Sequence, residues 1–313
     1  MKTRRLPFAG WVLLLLTALL TGCTSAPAYP KVSLAEGPAS PASARASPSA
    51  ALAPPLRVAI AAVTSPKNTV RSYSPLLDYL AQRIGRQVQL VQGRTYHEVN
   101  NLVRDGNVDL ALVCSGAYVQ GHDDFGMELL VAPQVGGETI YYSFIIVPAS
   151  SPVRSLTELR GKAFAFTDPM SNSGWLMPVY MLRQMGESAE KFFGRTIYTY
   201  SHDNSIRAVS DGLVDGAAVD SLVYEYALRQ DPSLTARLRV IVRSGANAIP
   251  PVVVRPTLDP GQKSILKELF LTMHESPDGR AALAPLMIDR FVGISDSAYE
   301  SVRSALREVR EAK

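Results

Sequence analysis

Cysteine and histidine are scarce in this 313-residue chain, which has two of the first and four of the second. Two cysteines exclude a disulfide framework and a zinc cluster built from thiolates. Neither metal-spaced histidines nor paired carboxylates occur, so no metal or cofactor is expected. Charge of one sign is lacking too. The formal net charge is +4, but Lys2, Arg4 and Arg5 supply three of the positives within the first five residues, and the remainder is left near +1. That balance gives no electrostatic claim on nucleic acid. The most apolar stretch, Leu6 to Leu20, falls short of the ~20 residues of a comfortable membrane span. What the chain does have is a 47% apolar fraction, which excludes wholesale disorder, and 22 unevenly spread prolines.

The first residues have an address. Lys2, Arg4 and Arg5 precede the apolar stretch, which ends in Leu20-Thr21-Gly22-Cys23. These are the charged and apolar regions of a secretory signal, and the ending matches the bacterial lipobox, in which small residues precede a cysteine that is acylated after cleavage. Residues 1–22 are thus read as a lipoprotein signal peptide. Cys23 is read as a lipid anchor holding an exported protein at a membrane of the cell envelope, on the periplasmic or extracellular side. Of the 32 residues from Thr24 to Pro55, 23 are Ala, Pro or Ser. A stretch with so little to bury cannot offset its ordering entropy, so residues 23–55 read as the lipidated cysteine and a disordered tether.

From Leu56 onward short apolar runs alternate with helical spacing. Leu56–Val63, Gln87–Gln92 and Val108–Cys114 read as buried strands, and Leu76, Leu77, Leu80 and Ile84 recur as one helix face with Pro75 in its first turn. Tyr141–Val147 reads as a long strand leaving this first series. A second series follows, with strands at Lys162–Phe166, Thr196–Tyr200, Ala217–Val219 and Leu238–Val242; Ile249–Val254 carries the chain back. Such repeats predict an α/β protein with mainly parallel sheets and ligands at the carboxyl ends of the strands. Residues 56–144 with 250–313 are expected to form one lobe and 145–249 the other. Two crossing segments make the hinge of a clamshell that closes on a small ligand.

The most informative stretch is Phe164 to Pro178. A strand runs into Asp168-Pro169, then Ser171, Asn172 and Ser173 arrive just before a helix opened by Gly174. Hydroxyls and unpaired amides at a helix start suit a tetrahedral oxyanion. No P-loop lysine and no Gly-x-Gly-x-x-Gly turn accompany them, so this is anion capture without a nucleotide signature. The competing reading is that Ser171 or Ser173 merely caps the helix.

Thr167-Asp-Pro-Met-Ser-Asn-Ser-Gly-Trp-Leu-Met-Pro178 resembles the Asp-Pro-x-Ser-x-Ser-Gly-x-x-x-Pro segment of the periplasmic phosphate-, phosphite- and phosphonate-binding proteins of ABC transporters. Further matches follow in the family's order: Tyr73–Leu80, Tyr96, Val108–Ala111 before the Cys114-Ser-Gly-Ala-Tyr118 turn, Tyr141-Tyr-Ser143, Tyr200–Ser205 and Val214–Ala217. The resemblance spans residues 56–295 and implies a type II periplasmic-binding fold. It further implies an anion cradle of Ser171, Asn172, Ser173 and the Gly174 amide, with Tyr96 and Tyr141 as phenolic donors. His202 would be a donor from the second lobe, adding positive charge if protonated. Core packing is the alternative for the two tyrosines, and a loop or capping role for His202.

Asp220 sits at a strand end, either to accept a hydrogen bond from a protonated ligand or to cap the helix from Ser221. Cys114 and Ser115 lie at another strand end, where cleft groups sit; a buried apolar role is the plainer reading of the cysteine. Family members that take aminoalkylphosphonates place acidic groups where this chain has Leu222 and Pro250, which favours phosphite, methylphosphonate or phosphate.

The resulting expectation is a non-enzymatic, monomeric solute-binding lipoprotein that delivers its anion to an ABC permease. The alternative is an oxyanion sensor for arsenite or phosphate that binds a membrane sensor kinase, with Cys114 in the cleft. Catalysis by Cys114 with His97 or His122 as base finds no flanking pattern in its favour.

Overall fold

The computed structural model describes residues 54–311. The signal peptide, Cys23 and nearly all of the tether lie outside the described residues. The strands, in chain order, are β1 Leu56–Ile60, β2 Val88–Gln92, β3 Leu110–Leu112, β4 Glu128–Gln134, β5 Ile140–Tyr141, β6 Ser143–Pro148, β7 Ala163–Phe166, β8 Arg195–Tyr198, β9 Gly216–Asp220, β10 Leu238–Arg243, β11 Asn247–Ala248, β12 Val252–Val254 and β13 Arg290–Val292. They form a six-stranded sheet in the order β13-β4-β12-β3-β1-β2, a five-stranded sheet β10-β6-β9-β7-β8, and a two-stranded pair β11-β5. The pair is the hinge: one strand of it leads into the second sheet, the other leads back to the first.

The crossings explain a departure from the expected mainly parallel sheets. β1, β2 and β3 are parallel, as are β7, β8 and β9. A strand that enters a sheet directly from the hinge must run the other way. Accordingly β6 is antiparallel to β9, and β12 is antiparallel to both β3 and β4. The stretch expected as one long strand from Tyr141 is broken at Tyr142 into β5 and β6.

Helix α1, Pro66–Ile84, starts a good deal earlier than the sequence suggests, with Pro66 in its first turn and Pro75 in its interior. Its N-cap, Ser65, makes no side-chain cap of its own. The acceptor comes from across the cleft. The Asp203 carboxylate takes hydrogen bonds from Ser65 N (2.9 Å), Ser65 Oγ (2.6 Å) and Asn68 Nδ2 (2.8 Å). Burial alone would raise the Asp203 pKa, yet these donors outweigh it and hold the carboxyl below its ordinary range. Helix α2, Tyr96–Arg104, has its own cap, Thr95 Oγ1 accepting from Glu98 N, and gains a second from across the cleft: Tyr96 N donates to Asp168 Oδ2 at 3.1 Å. Each carboxylate meets the positive end of a helix dipole belonging to the opposite sheet's side.

The cleft is also closed by packing. One apolar cluster joins Tyr96, Val113 and Cys114 from the first side to Phe164, Leu176 and Ala218 from the second. Helix α3, Ser115–Phe125, begins where the sequence suggests only a turn, with Cys114 as its N-cap. Helix α4, Met177–Gln184, belongs to the second side. The C-terminal helix Glu300–Glu311 buries Val302, Ala305, Leu306 and Val309 and packs on both α3 and α4. Arg310 donates to Gln120 Oε1 at 2.8 Å, and Gln184 is bonded to Glu308. The end of the chain therefore straps the two sides together instead of serving the first alone.

Because Asp203 caps a helix it does not belong to, Asp203→Ala should lower stability by about 1–3 kcal/mol, the cost of orphaned donors. Urea denaturation at neutral pH measures this, and Asp203→Asn should lose less.

Candidate functional site

The site grows from the loop that follows β7. Ser171 is the N-cap of a single π-helical turn, Asn172–Leu176, and its Oγ accepts from Gly174 N at 2.9 Å. Thr167 N donates to Gly174 O at 3.1 Å, closing the loop on itself. A Cβ on residue 174 would lie 2.4 Å from Thr167 Oγ1, so only glycine fits. Gly116 does the same job between the two sides: a Cβ there would meet Met170 O at 2.6 Å and Asn172 N at 3.0 Å. The missing side chain lets α3 approach the cradle loop.

This geometry revises the expected donors. The Gly174 amide is committed to Ser171 Oγ in a helix cap, while the Ser171 hydroxyl, an acceptor there, keeps its own hydrogen to donate. The Asn172 amide donates to Cys114 Sγ at 3.4 Å. Asn172 Nδ2 donates to Tyr141 Oη at 3.0 Å, and Ser143 Oγ to Ser173 O at 2.5 Å. Ser115 Oγ donates to the hinge carbonyl Ala248 O at 2.7 Å. What is left over is a set of side-chain atoms. The Tyr96 hydroxyl, Ser173 Oγ and Asn172 Oδ1 are all buried with no hydrogen-bond partner among the described residues. Leaving a buried polar group unpaired costs roughly 1–3 kcal/mol, so three in one place mark a site arranged for something else to bind.

The electrostatics of these groups are set by burial. Burial raises the Tyr96 and Tyr141 hydroxyls well above their ordinary range, and the neighbouring Cys114 and Asp220 add to it, so both phenols stay protonated donors. Burial also pushes the Cys114 thiol up, which leaves it a thiol and a poor nucleophile. His202 is 1% exposed, and burial lowers its pKa to about 3. Its Nδ1 accepts from Asp220 N at 3.1 Å and lies 3.0 Å from Thr167 Oγ1. The ring is therefore neutral with its proton on Nε2, and the positive charge allowed for in the sequence reading is absent at neutral pH. Asp220 takes the capping role: Oδ1 caps the helix Ser221–Gln230 through Leu222 N (2.7 Å) and Val223 N (3.3 Å), and burial raises the carboxyl to about 7.

The ten expected residues, Tyr96, Cys114, Ser115, Tyr141, Ser171, Asn172, Ser173, Gly174, His202 and Asp220, are all buried where the two sides meet. Three others were not anticipated. Thr167 orients His202 and also lies 3.4 Å from Ser205 Oγ. Asp168 holds Met170 N at 2.8 Å as well as the α2 amide across the cleft. Asp203 has the matching role on α1. The Asp168-Pro169 pair signalled a turn, but nothing local told which amide its carboxylate would take.

Two α/β halves joined by paired crossings, with a polar cradle buried between them, define a type II periplasmic-binding protein. A family model described as "ABC transporter, phosphonate, periplasmic substrate-binding protein" matches residues 58–299, and the chain belongs to that family. It is 25% identical over 253 residues to the phosphonates-binding periplasmic protein of Escherichia coli, covering 79% of this chain and 75% of that one. It is 30% identical over 210 residues to the phosphate-import protein PhnD of Mycolicibacterium smegmatis, covering 64% of this chain and 65% of that protein. The fold superposes on a binding component of an ABC phosphonate transporter from Pseudomonas aeruginosa with a TM-score of 0.76 and 25% identity, covering 82% of this chain and 87% of that one. PhnD1 of Prochlorococcus marinus, solved in complex with methylphosphonate, shares the fold with a TM-score of 0.75 and 20% identity over 82% of this chain and 98% of its own.

Asp220 gives this site a pH signature. A carboxyl whose folded pKa is raised contributes stability below its unfolded value and loses it as pH rises through the folded one. Relative to Asp220→Asn, which keeps a capping acceptor, the wild type should lose roughly 2–4 kcal/mol between about pH 4 and pH 8. Chemical denaturation of both proteins across that range checks it.

Proposed function

We propose that this protein is a lipid-anchored receptor, tethered through Cys23, that captures a small phosphorus oxyanion in the cleft and presents it to an ABC permease. Phosphite, methylphosphonate and phosphate share the headgroup that the site suits. The observation that carries the reading is the pair of unpaired buried hydroxyls on Tyr96 and Ser173, with Asn172 Oδ1 beside them as an acceptor for a protonated ligand oxygen. Tyr96 and Ser173 donate hydroxyls to the anion, Tyr141 and the Nε2–H of His202 add further donors, and Ser115 and Cys114 form the floor. The names of the relatives point to the same ligands. The lobes divide at the hinge, residues 56–144 with 250–313 against 145–249, with the C-terminal helix bridging them.

The donors are neutral, so the anion is held by hydrogen bonds and not by ion pairs. Asp220, near its half-titration point, accepts from a protonated P–OH and disfavours a full dianion. The protein acts without cofactor or catalysis and as a monomer. The protonated, buried Cys114, whose sulfur already accepts the Asn172 amide, argues for binding over nucleophilic chemistry and over thiophilic capture of arsenite.

Tyr96→Phe and Ser173→Ala each remove an orphaned hydroxyl. Stability of the unliganded protein should hold or rise, while affinity for the phosphorus anion falls by about 1–3 kcal/mol for each. Calorimetric titration with phosphite, methylphosphonate, phosphate and arsenite, paired with thermal melts, separates this from a packing role, which would lower stability. Cys114→Ala should leave phosphite or methylphosphonate binding in place; arsenite binding that vanishes with the thiol would favour the sensor reading.

A further inference from the structure

A cavity of about 140 Å³ lies between the two sides, and of the candidate-site residues Asp220 alone lines it. Its walls come from both sides: Ile60 and Leu112 at the cleft ends of β1 and β3, Ile249 and Pro250 from the hinge return, and Leu222 and Val223 from the second side. Two of its polar groups, Ser72 Oγ and Tyr226 Oη, satisfy each other at 3.0 Å. Asp220 is the one charged residue on the wall. It is also the link to the cradle, since its N–H donates to His202 Nδ1 at 3.1 Å, and Val113, the neighbour of Cys114, lines the same wall.

An anion alone does not use such a space. Phosphate or phosphite is satisfied by the hydroxyls and gains nothing from a carbon-lined chamber. A charged substituent fares no better. Asp220 Oδ1 is already engaged by two amides and the rest of the wall offers no second charge among the described residues, so an ammonium would exchange its water for one partner in a mainly carbon-lined chamber. An apolar group is favoured there, because it leaves water for a surface that matches it. The volume sets the size: an apolar cavity of about 150 Å³ accommodates benzene.

We propose that the cleft takes an organophosphonate whose oxyanion lies among Tyr96, Asn172 and Ser173 and whose apolar substituent, up to the size of a phenyl ring, fills this cavity. The inference rests on the proposed cradle and extends it from headgroup to whole ligand. Leu222 and Pro250 then set specificity through the carbon surface they present.

The test titrates the full chain with methylphosphonate, phenylphosphonate and 2-aminoethylphosphonate. Phenylphosphonate is expected to bind at least tenfold more tightly than methylphosphonate, with the more negative heat-capacity change that buried apolar surface produces. Leu222→Trp and, independently, Leu286→Trp, at another leucine of the cavity wall, narrow the cavity and should pull the phenyl-to-methyl affinity ratio down toward one. Two such positions guard against a variant that fails to fold. Methylphosphonate binding as well as or better than phenylphosphonate would overturn the cavity's role while leaving the cradle intact. Tightest binding of 2-aminoethylphosphonate would overturn it in favour of an ammonium held by Asp220. Failure of all three to bind would remove the cradle, and this inference with it.

Discussion

The hydrogen bond from the Gly174 amide to Ser171 Oγ is the constraint on which the rest of the site depends. It folds residues 167–176 into a closed loop, and that loop forms only because position 174 has no Cβ to strike Thr167. With the loop closed, Asn172 is carried to Cys114 and Tyr141, and Thr167 reaches His202. The same fold leaves the Ser173 hydroxyl buried and unpaired. A helix start that promised free amides instead uses one of them to build a scaffold, and the chemistry passes to side chains. Insertion of a π-helical turn at such a point is a common accompaniment of functional sites.

The second organising feature is that, among the described residues, the donors assigned to the cradle are neutral. His202 is neutral because burial penalises the imidazolium and Nδ1 already has its donor. A cradle of neutral hydroxyls holds an anion by geometry more than by attraction, which makes protonation state and shape the natural bases of selection. Asp220 sharpens both, as a cap that fixes its helix and as a carboxyl poised near neutrality. The two carboxylates that bridge the cleft, Asp168 and Asp203, take their partners from helix ends, so closure is itself favoured by dipoles of the fold.

Much of this was legible in the sequence, for physical reasons. Strand and helix alternation follows from apolar periodicity, and the Asp168-to-Gly174 stretch shows its strand, turn and helix start in order. The errors share a cause. Helix α1 begins at Pro66 and not beside Pro75 because its cap arrives from Asp203, 138 positions away from Ser65. The hinge-borne strands β6 and β12 run against their neighbours because of where they enter, which no local pattern encodes. Ser171 and Gly174 were both singled out, but whether they meet each other or a ligand is decided by Thr167 packing against them. The Cys114 stretch looked like a turn and is a helix start, since burial of Ala117, Tyr118 and Val119 outweighs its weak local pattern.

A crystal structure of the protein with methylphosphonate tests the central claim most directly. The account places the phosphonate oxygens within about 2.6–3.2 Å of Tyr96 Oη and Ser173 Oγ, with the Ser171–Gly174 cap intact. Oxygens bound instead to the Gly174 amide, with Ser171 swung away, or a phosphonate seated outside the cleft, would contradict it.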